Sequence, residues 1–129
     1  MTKTTKTAPE AVSFREIDTL EKALEVLGET FTPPTGVPDW VVAAMELETI
    51  IRAINGTDWE ADYSNPNQLK YYLYFYGYKA GVGFSGFDYA DAHSSTVVGA
   101  RLSFQSAEKA RHVGEKFLST FNRFLLKNI

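Results

Sequence analysis

Leu20, Ala23, Leu24 and Leu27 recur at the three- and four-residue spacing of a single helix face, which predicts a first helix there. Asp18 and Glu21 have the spacing of a capping box, and Gly28 supplies a left-handed stop. Phe14 and Ile17 are expected to pack just ahead of it. Residues 30–38 hold three prolines and a glycine and read as a linker between helices. A second stripe, Trp40, Ala44, Leu47, Ile51 and Ile54, predicts a helix opened by Asp39 and closed at Asn55-Gly56. Glu46, Thr49 and Arg52 fall on its other side. Near the end, Ala110, Val113, Gly114, Phe117, Phe121, Phe124 and Leu125 predict one long helix capped by Ser106. Its wet face would carry Glu108, His112, Glu115, Ser119 and Asn122.

Between the second and last helices the period changes from helical to alternating. Residues 57–68 form a polar connection that Trp59 and Tyr63 would pin to the core. Three strands follow, over 69–78, 82–89 and 96–104. The first two are close enough to form a hairpin through Lys79-Ala80-Gly81, and residues 90–95 make a turn. The element order is α-α-β-β-β-α. The fold class predicted is α+β: a three-stranded antiparallel sheet with helices packed on one face.

Alternation assigns the faces. Leu69, Tyr71, Leu73 and Phe75 point inward with Val98, Ala100, Leu102 and Phe104. Lys70, Tyr72, Tyr74, Tyr76 and Tyr78 point outward, beside Gly99, Arg101 and Ser103 of the third strand and the glycines of the second. One account of the tyrosines is that their rings cover bare glycine backbone. The other is an amphipathic platform for a partner. The candidate contact residues are therefore Lys70, Tyr72, Tyr74, Tyr76, Tyr78 and Arg101.

Composition narrows the classes. The 129 residues fit one domain, placed at 14–129 behind a flexible polar tail at 1–13. A net charge of −3 argues against a duplex nucleic acid as the main partner. The absence of cysteine excludes disulfides, thiolate nucleophiles and cysteine zinc sites. No apolar run approaches the ~18 residues of a membrane span, and no apolar core follows the basic first residues, so neither membrane nor secretory targeting is expected.

Several motifs could carry chemistry. Gly81-Val-Gly-Phe-Ser-Gly86 has the glycine spacing of a dinucleotide site but lacks the strand-then-helix context that brings a helix N-terminus to a pyrophosphate. Asp58, Glu60 and Asp62 alternate like the start of a calcium loop, yet Tyr63 stands where that loop needs glycine. Asp88, Asp91 and His93 could form an acid/base or metal group if they converged. Ser85, Ser94 and Ser95 lack a nucleophile-elbow context. Lys70, Lys79 and Arg101 flank the aromatic face, and Gly83-Phe84-Ser85-Gly86-Phe87 has a glycine/aromatic alternation known from RNA-binding strands.

Four stretches carry a family resemblance: 20–28; Ile51-Arg-Ala-Ile-Asn55 with Trp59; Asn67-Gln-Leu-Lys-Tyr-Tyr72; and Val98-Gly-Ala-Arg-Leu-Ser-Phe104 with Ser106-Ala-Glu-Lys-Ala110 and Gly114-Glu-Lys-Phe117. In these the chain resembles small uncharacterised proteins of Bacteroidetes phages and prophages. Leu73 and Tyr74 stand where that group has proline and tryptophan, and Ser103 where it often has cysteine. The resemblance implies a phage origin and location in the virion or host cytoplasm, with no activity attached. The function expected is a non-enzymatic binding or assembly protein, either a virion component or a host-takeover factor. It would meet a protein partner, or itself, through the aromatic face without a cofactor. The alternatives are a nucleotide or single-stranded nucleic-acid binder on the same face, including an anti-defence nucleotide sponge, and a small metal-dependent hydrolase built on Asp88, Asp91 and His93.

Overall fold

The computed structural model describes residues 13–127. Of the tail expected over 1–13, only Ser13 is among them; its Oγ accepts the Arg15 N–H (3.2 Å) and starts the 3-10 turn Phe14–Glu16. Helix α1 spans Leu20–Leu27. Its cap is Thr19, whose Oγ1 accepts the Lys22 N–H (3.1 Å), and not Asp18. Asp18 pairs instead with the Lys22 ammonium at 3.0 Å, one turn along. Gly28 ends the helix in the left-handed region (φ 68°), as its sequence position predicts.

Helix α2, Asp39–Asn55, is the centre of the packing. The remaining helices and the 3-10 segments all touch it. It is therefore buried on more than one side: Ala43, Leu47, Ile50, Ile51, Ala53 and Ile54 are core residues, and Thr49 is buried with them. This corrects the expected wet position of Thr49, whose hydroxyl is satisfied by donating to the Met45 carbonyl (3.0 Å). At the other end Trp40 is 53% exposed, because the first turn of α2 projects past the core. Asp39 is the first helical residue and makes no cap. It binds Arg123 instead (Nε–Oδ2 2.9 Å), with Glu46 on the same guanidinium (2.9 Å). That hydrogen bonding holds the Asp39 carboxyl below the usual carboxylate range and raises Arg123 further above its own.

The long last helix is broken. Helix α3 covers Ala107–Lys116, capped by Ser106 as expected, and α4 covers Leu118–Leu125. The joint is Phe117, buried and outside helical geometry (φ −125°, ψ 26°). The break lets α3 lie across the sheet while α4 packs on α2. It also turns two supposedly wet residues inward. His112 is buried, with Nε2–H donating to the Ile17 carbonyl (2.8 Å) and the ring edge-on to Phe14. Asn122 is buried too, and its Oδ1 accepts the Phe84 N–H (3.1 Å). Asn122→Ala is expected to lower the unfolding free energy by about 1–1.5 kcal/mol, because the half-buried Phe84 amide loses its acceptor. Urea unfolding checks this; no loss would mean the hairpin is not tied to α4 through this side chain.

Strand β1 is Lys70–Tyr76 and β2 is Gly86–Ala92, paired antiparallel with Leu73 opposite Tyr89 and Tyr76 opposite Gly86. The second strand thus starts four residues later than expected and runs on past Tyr89. Residues 77–85 form the hairpin connection, closed by reciprocal bonds between Lys79 and Gly83. Of the inward set expected on this strand, Leu73 is buried and Tyr71 and Phe75 pack against the core, Phe75 on Phe121 (ring centroids 4.6 Å), while Leu69 falls before the strand. Gly114 of α3 lies so close to the sheet that an added Cβ would sit 2.6 Å from the Phe87 ring.

The third strand does not form. Only Phe104 reaches the sheet, exchanging both hydrogen bonds with Tyr71 (3.0 and 2.8 Å). Upstream, local bonds consume the backbone groups a strand needs. Thr96 Oγ1 accepts the Val98 and Gly99 N–H groups, and Gly99 takes φ 83°. A 3-10 turn, Ala100–Leu102, follows. Ser103 Oγ then donates back to the Gly99 carbonyl (2.9 Å) and contacts the Tyr63 hydroxyl. Thr, Ser and Gly offer the chain these alternatives to a ladder. The protein is an α+β fold around a two-stranded antiparallel sheet.

Candidate binding face

Strand pleating sends Tyr72, Tyr74 and Tyr76 to the side of the sheet away from α3. Their cross-strand neighbours on β2 are Ala90, Asp88 and Gly86. A row of rings on one strand thus faces small or acidic residues on the other, which leaves the rings unshielded. Tyr74 is 47% and Tyr76 53% exposed, while Tyr72 is half-buried. Tyr78 follows in the hairpin and is also half exposed.

Glycine cover explains part of this row. A Cβ on Gly86 would lie 2.6 Å from Cε1 of Tyr76, so that ring lies over the bare backbone of its partner. Tyr74 has no such duty. It stands opposite Asp88, whose Oδ1 accepts the neighbouring Tyr89 N–H (2.8 Å).

Two of the six candidate residues are not on this face. Lys70 shares the tyrosines' parity but is 1% exposed. Residues 65–68 and the turn at His93 close over it, and its ammonium donates to the carbonyls of Asn65 (3.0 Å), Gln68 (2.9 Å) and His93. Arg101 depended on the third strand. Without that strand it sits on the 3-10 turn over the C-terminal end of α2, lining a groove with Arg52, Asn55 and Trp59. The structure brings Tyr72, Tyr74 and Tyr76 together, with Tyr78 next along the chain.

The other motifs disperse. The glycines of residues 81–86 lie in the hairpin and lead into β2 rather than a helix. Phe84 stacks on Phe75 (5.3 Å) and Phe87 meets α3, so the aromatics of the RNA-like alternation point into the protein. Asp88 and Asp91 have opposite parity on β2, and His93 Nδ1–H donates to the Pro66 carbonyl (2.9 Å). Asp62 is held below the usual carboxylate range by hydrogen bonds from the Ser64 hydroxyl and amide, as a turn-forming residue. Among the described residues no group of three or more acidic or histidine side chains could hold a metal ion, and no helix is long and apolar enough to cross a membrane.

Sequence reasoning missed one surface. Trp40, expected in the core, is exposed and packs against Phe124 of α4 (6.5 Å), with Leu125 47% exposed beside it. The stripe that predicted α2 and the stripe that predicted one long last helix both run beyond what the core covers, at Trp40 and at Leu125. Neither a family model, nor a curated protein, nor a solved structure matches this chain.

Proposed function

We propose that the protein is a non-enzymatic binding or assembly module that meets a protein partner through the outer face of its hairpin. The observation that carries this is the row Tyr72, Tyr74 and Tyr76 on one strand, with Tyr74 and Tyr76 about half exposed although only Tyr76 covers a glycine. Tyrosine supplies large contact area with few rotatable bonds and a polar tip, the chemistry typical of contact centres. The charge around it favours a protein over a nucleotide. Of the three flanking cations Lys70 is buried and Arg101 lies over α2, which leaves Lys79 at the hairpin end, while Asp88 sits in the middle of the row, opposite Tyr74. A nucleic acid would need cations there. The resemblance to phage and prophage proteins supports a role in virion assembly or in a host-directed complex.

The double variant Tyr74→Ser/Tyr76→Ser tests this. Association, followed by light scattering for self-assembly and by pull-down for a second protein, is expected to fall at least about tenfold, since a contact tyrosine is commonly worth more than 1 kcal/mol. Far-UV circular dichroism should stay unchanged. Association equal to that of the parent protein overturns the reading.

A further inference from the structure

The site of the missing third strand is itself a feature. Tyr71 directs both its backbone groups away from β2, to Phe104. In an antiparallel ladder alternate residues point to the same edge. Leu73 and Phe75 therefore present their N–H and C=O groups on that edge too. The chain that could have met them turns away at Ser103, and no described residue pairs with them there. Beside this edge lies an apolar pocket of about 310 Å³, walled by Leu73, Phe75, Leu102, Phe104, Phe121 and Phe124. Tyr74 also borders this pocket, and Tyr76 stands on the other face of the same strand.

From this juxtaposition we infer that the β1 edge is a strand-addition site for an extended segment of a partner protein, with one bulky apolar side chain seated in the pocket. The inference rests on the reading of β1 as the contact strand and specifies what that strand binds. Unpaired peptide groups at alternate positions select an extended main chain, because only such a chain presents donors and acceptors at the matching repeat. A small apolar molecule would fill the pocket and leave the peptide groups unmet. An added strand alternates its side chains, so one residue enters the pocket while its neighbours lie against the tyrosine face. The Tyr71–Phe104 pair already occupies one end of the edge, which fixes where the added strand must stop. The specificity expected is phenylalanine or leucine at the central position, flanked by β-branched residues.

The test uses the full chain labelled with ¹⁵N and the peptides Lys-Thr-Val-X-Val-Thr-Lys, where X is Phe, Leu, Ala or Asp. The Phe and Leu peptides are expected to shift and protect the Leu73 and Phe75 amides, with affinity falling in the order Phe or Leu, Ala, Asp. N-methylating one alternate set of peptide amides should weaken binding by about tenfold or more, from the loss of two main-chain bonds, while methylating the other set should not. Equal binding of both methylated forms, or no effect at Leu73 and Phe75 with any peptide, overturns the inference. So does protection of these amides without peptide, whether it rises with protein concentration (a second copy on the edge) or vanishes on deleting residues 1–12 (the chain's own N-terminal segment). The parent reading separates cleanly. Peptide binding that survives Tyr74→Ser/Tyr76→Ser keeps the edge and removes the tyrosine face. Partner association lost in that variant, with no peptide bound at the edge, does the reverse.

Discussion

Lys70→Met is expected to lower the unfolding free energy by about 3 kcal/mol. The Lys70 side chain is 1% exposed. An ammonium has three donors and no acceptor capacity, and here all three are taken by main-chain carbonyls of Asn65, Gln68 and His93. The Tyr63 ring adds its face at 4.9 Å from Nζ. No carboxylate pairs with the cation among the described residues; it serves as a three-way clasp between the long α2–β1 connection and the turn after β2. Methionine keeps the length and apolar stem of lysine but supplies no donor. Three carbonyls then lose charge-assisted bonds worth roughly 1.5–3 kcal/mol each, and relief from burying the ammonium offsets a large part of that sum. Urea titration measures the loss through its midpoint, and amide exchange should place the loosening at residues 57–68 and 93. A surface lysine serving a partner would instead change stability by less than about 0.5 kcal/mol. A result in that range would rule out the clasp.

Lys70 lies on the face that alternation gives it, yet it is covered there. Parity along β1 assigns the residue to a face correctly, but what covers that face depends on the path of a polar loop with no periodicity of its own. The features that were legible depend on short-range chemistry: the stop at Gly28, the end of α2 at Asn55-Gly56, the Ser106 cap, and the inner set Leu73 and Phe75 of a two-stranded hairpin. The break at Phe117 was not legible, since the apolar stripe runs through it without interruption; only the need to cover a sheet with one half and α2 with the other half bends the chain. The third strand failed for the opposite reason. Val98, Ala100, Leu102 and Phe104 do alternate, yet Thr96 and Gly99 supply local bonds that outcompete the ladder. The candidate site inherits this pattern. Its three strand tyrosines follow from parity alone, whereas Arg101 required a strand that does not exist. The pocket exists because that strand is absent, so no residue pattern announces it.

Asn55→Leu is expected to cost about 3 kcal/mol and to free the segment that replaces the third strand. Asn55 is buried at the last turn of α2. Its Nδ2 donates to the Ser103 carbonyl (2.9 Å) and its Oδ1 accepts the Gln105 N–H (3.0 Å). One amide side chain thus satisfies an acceptor and a donor on either side of Phe104, the residue that pairs with Tyr71. It does for residues 103–105 what a neighbouring strand would do, and that is why Phe104 alone can reach the sheet without a ladder around it. Leucine keeps the branched shape without a polar atom, and it is the better helix former by a few tenths of a kcal/mol, so helix propensity is not the source of the loss. It comes from two main-chain groups left without partners, at roughly 1–3 kcal/mol each. Beyond a lower urea midpoint, the variant should exchange the Tyr71 and Phe104 amides much faster than the core amides of α2, because the Tyr71–Phe104 pair depends on this anchor and the helix does not. Equal acceleration across α2 and β1 would mean that the introduced leucine disrupts packing generally, and the anchoring role would fall.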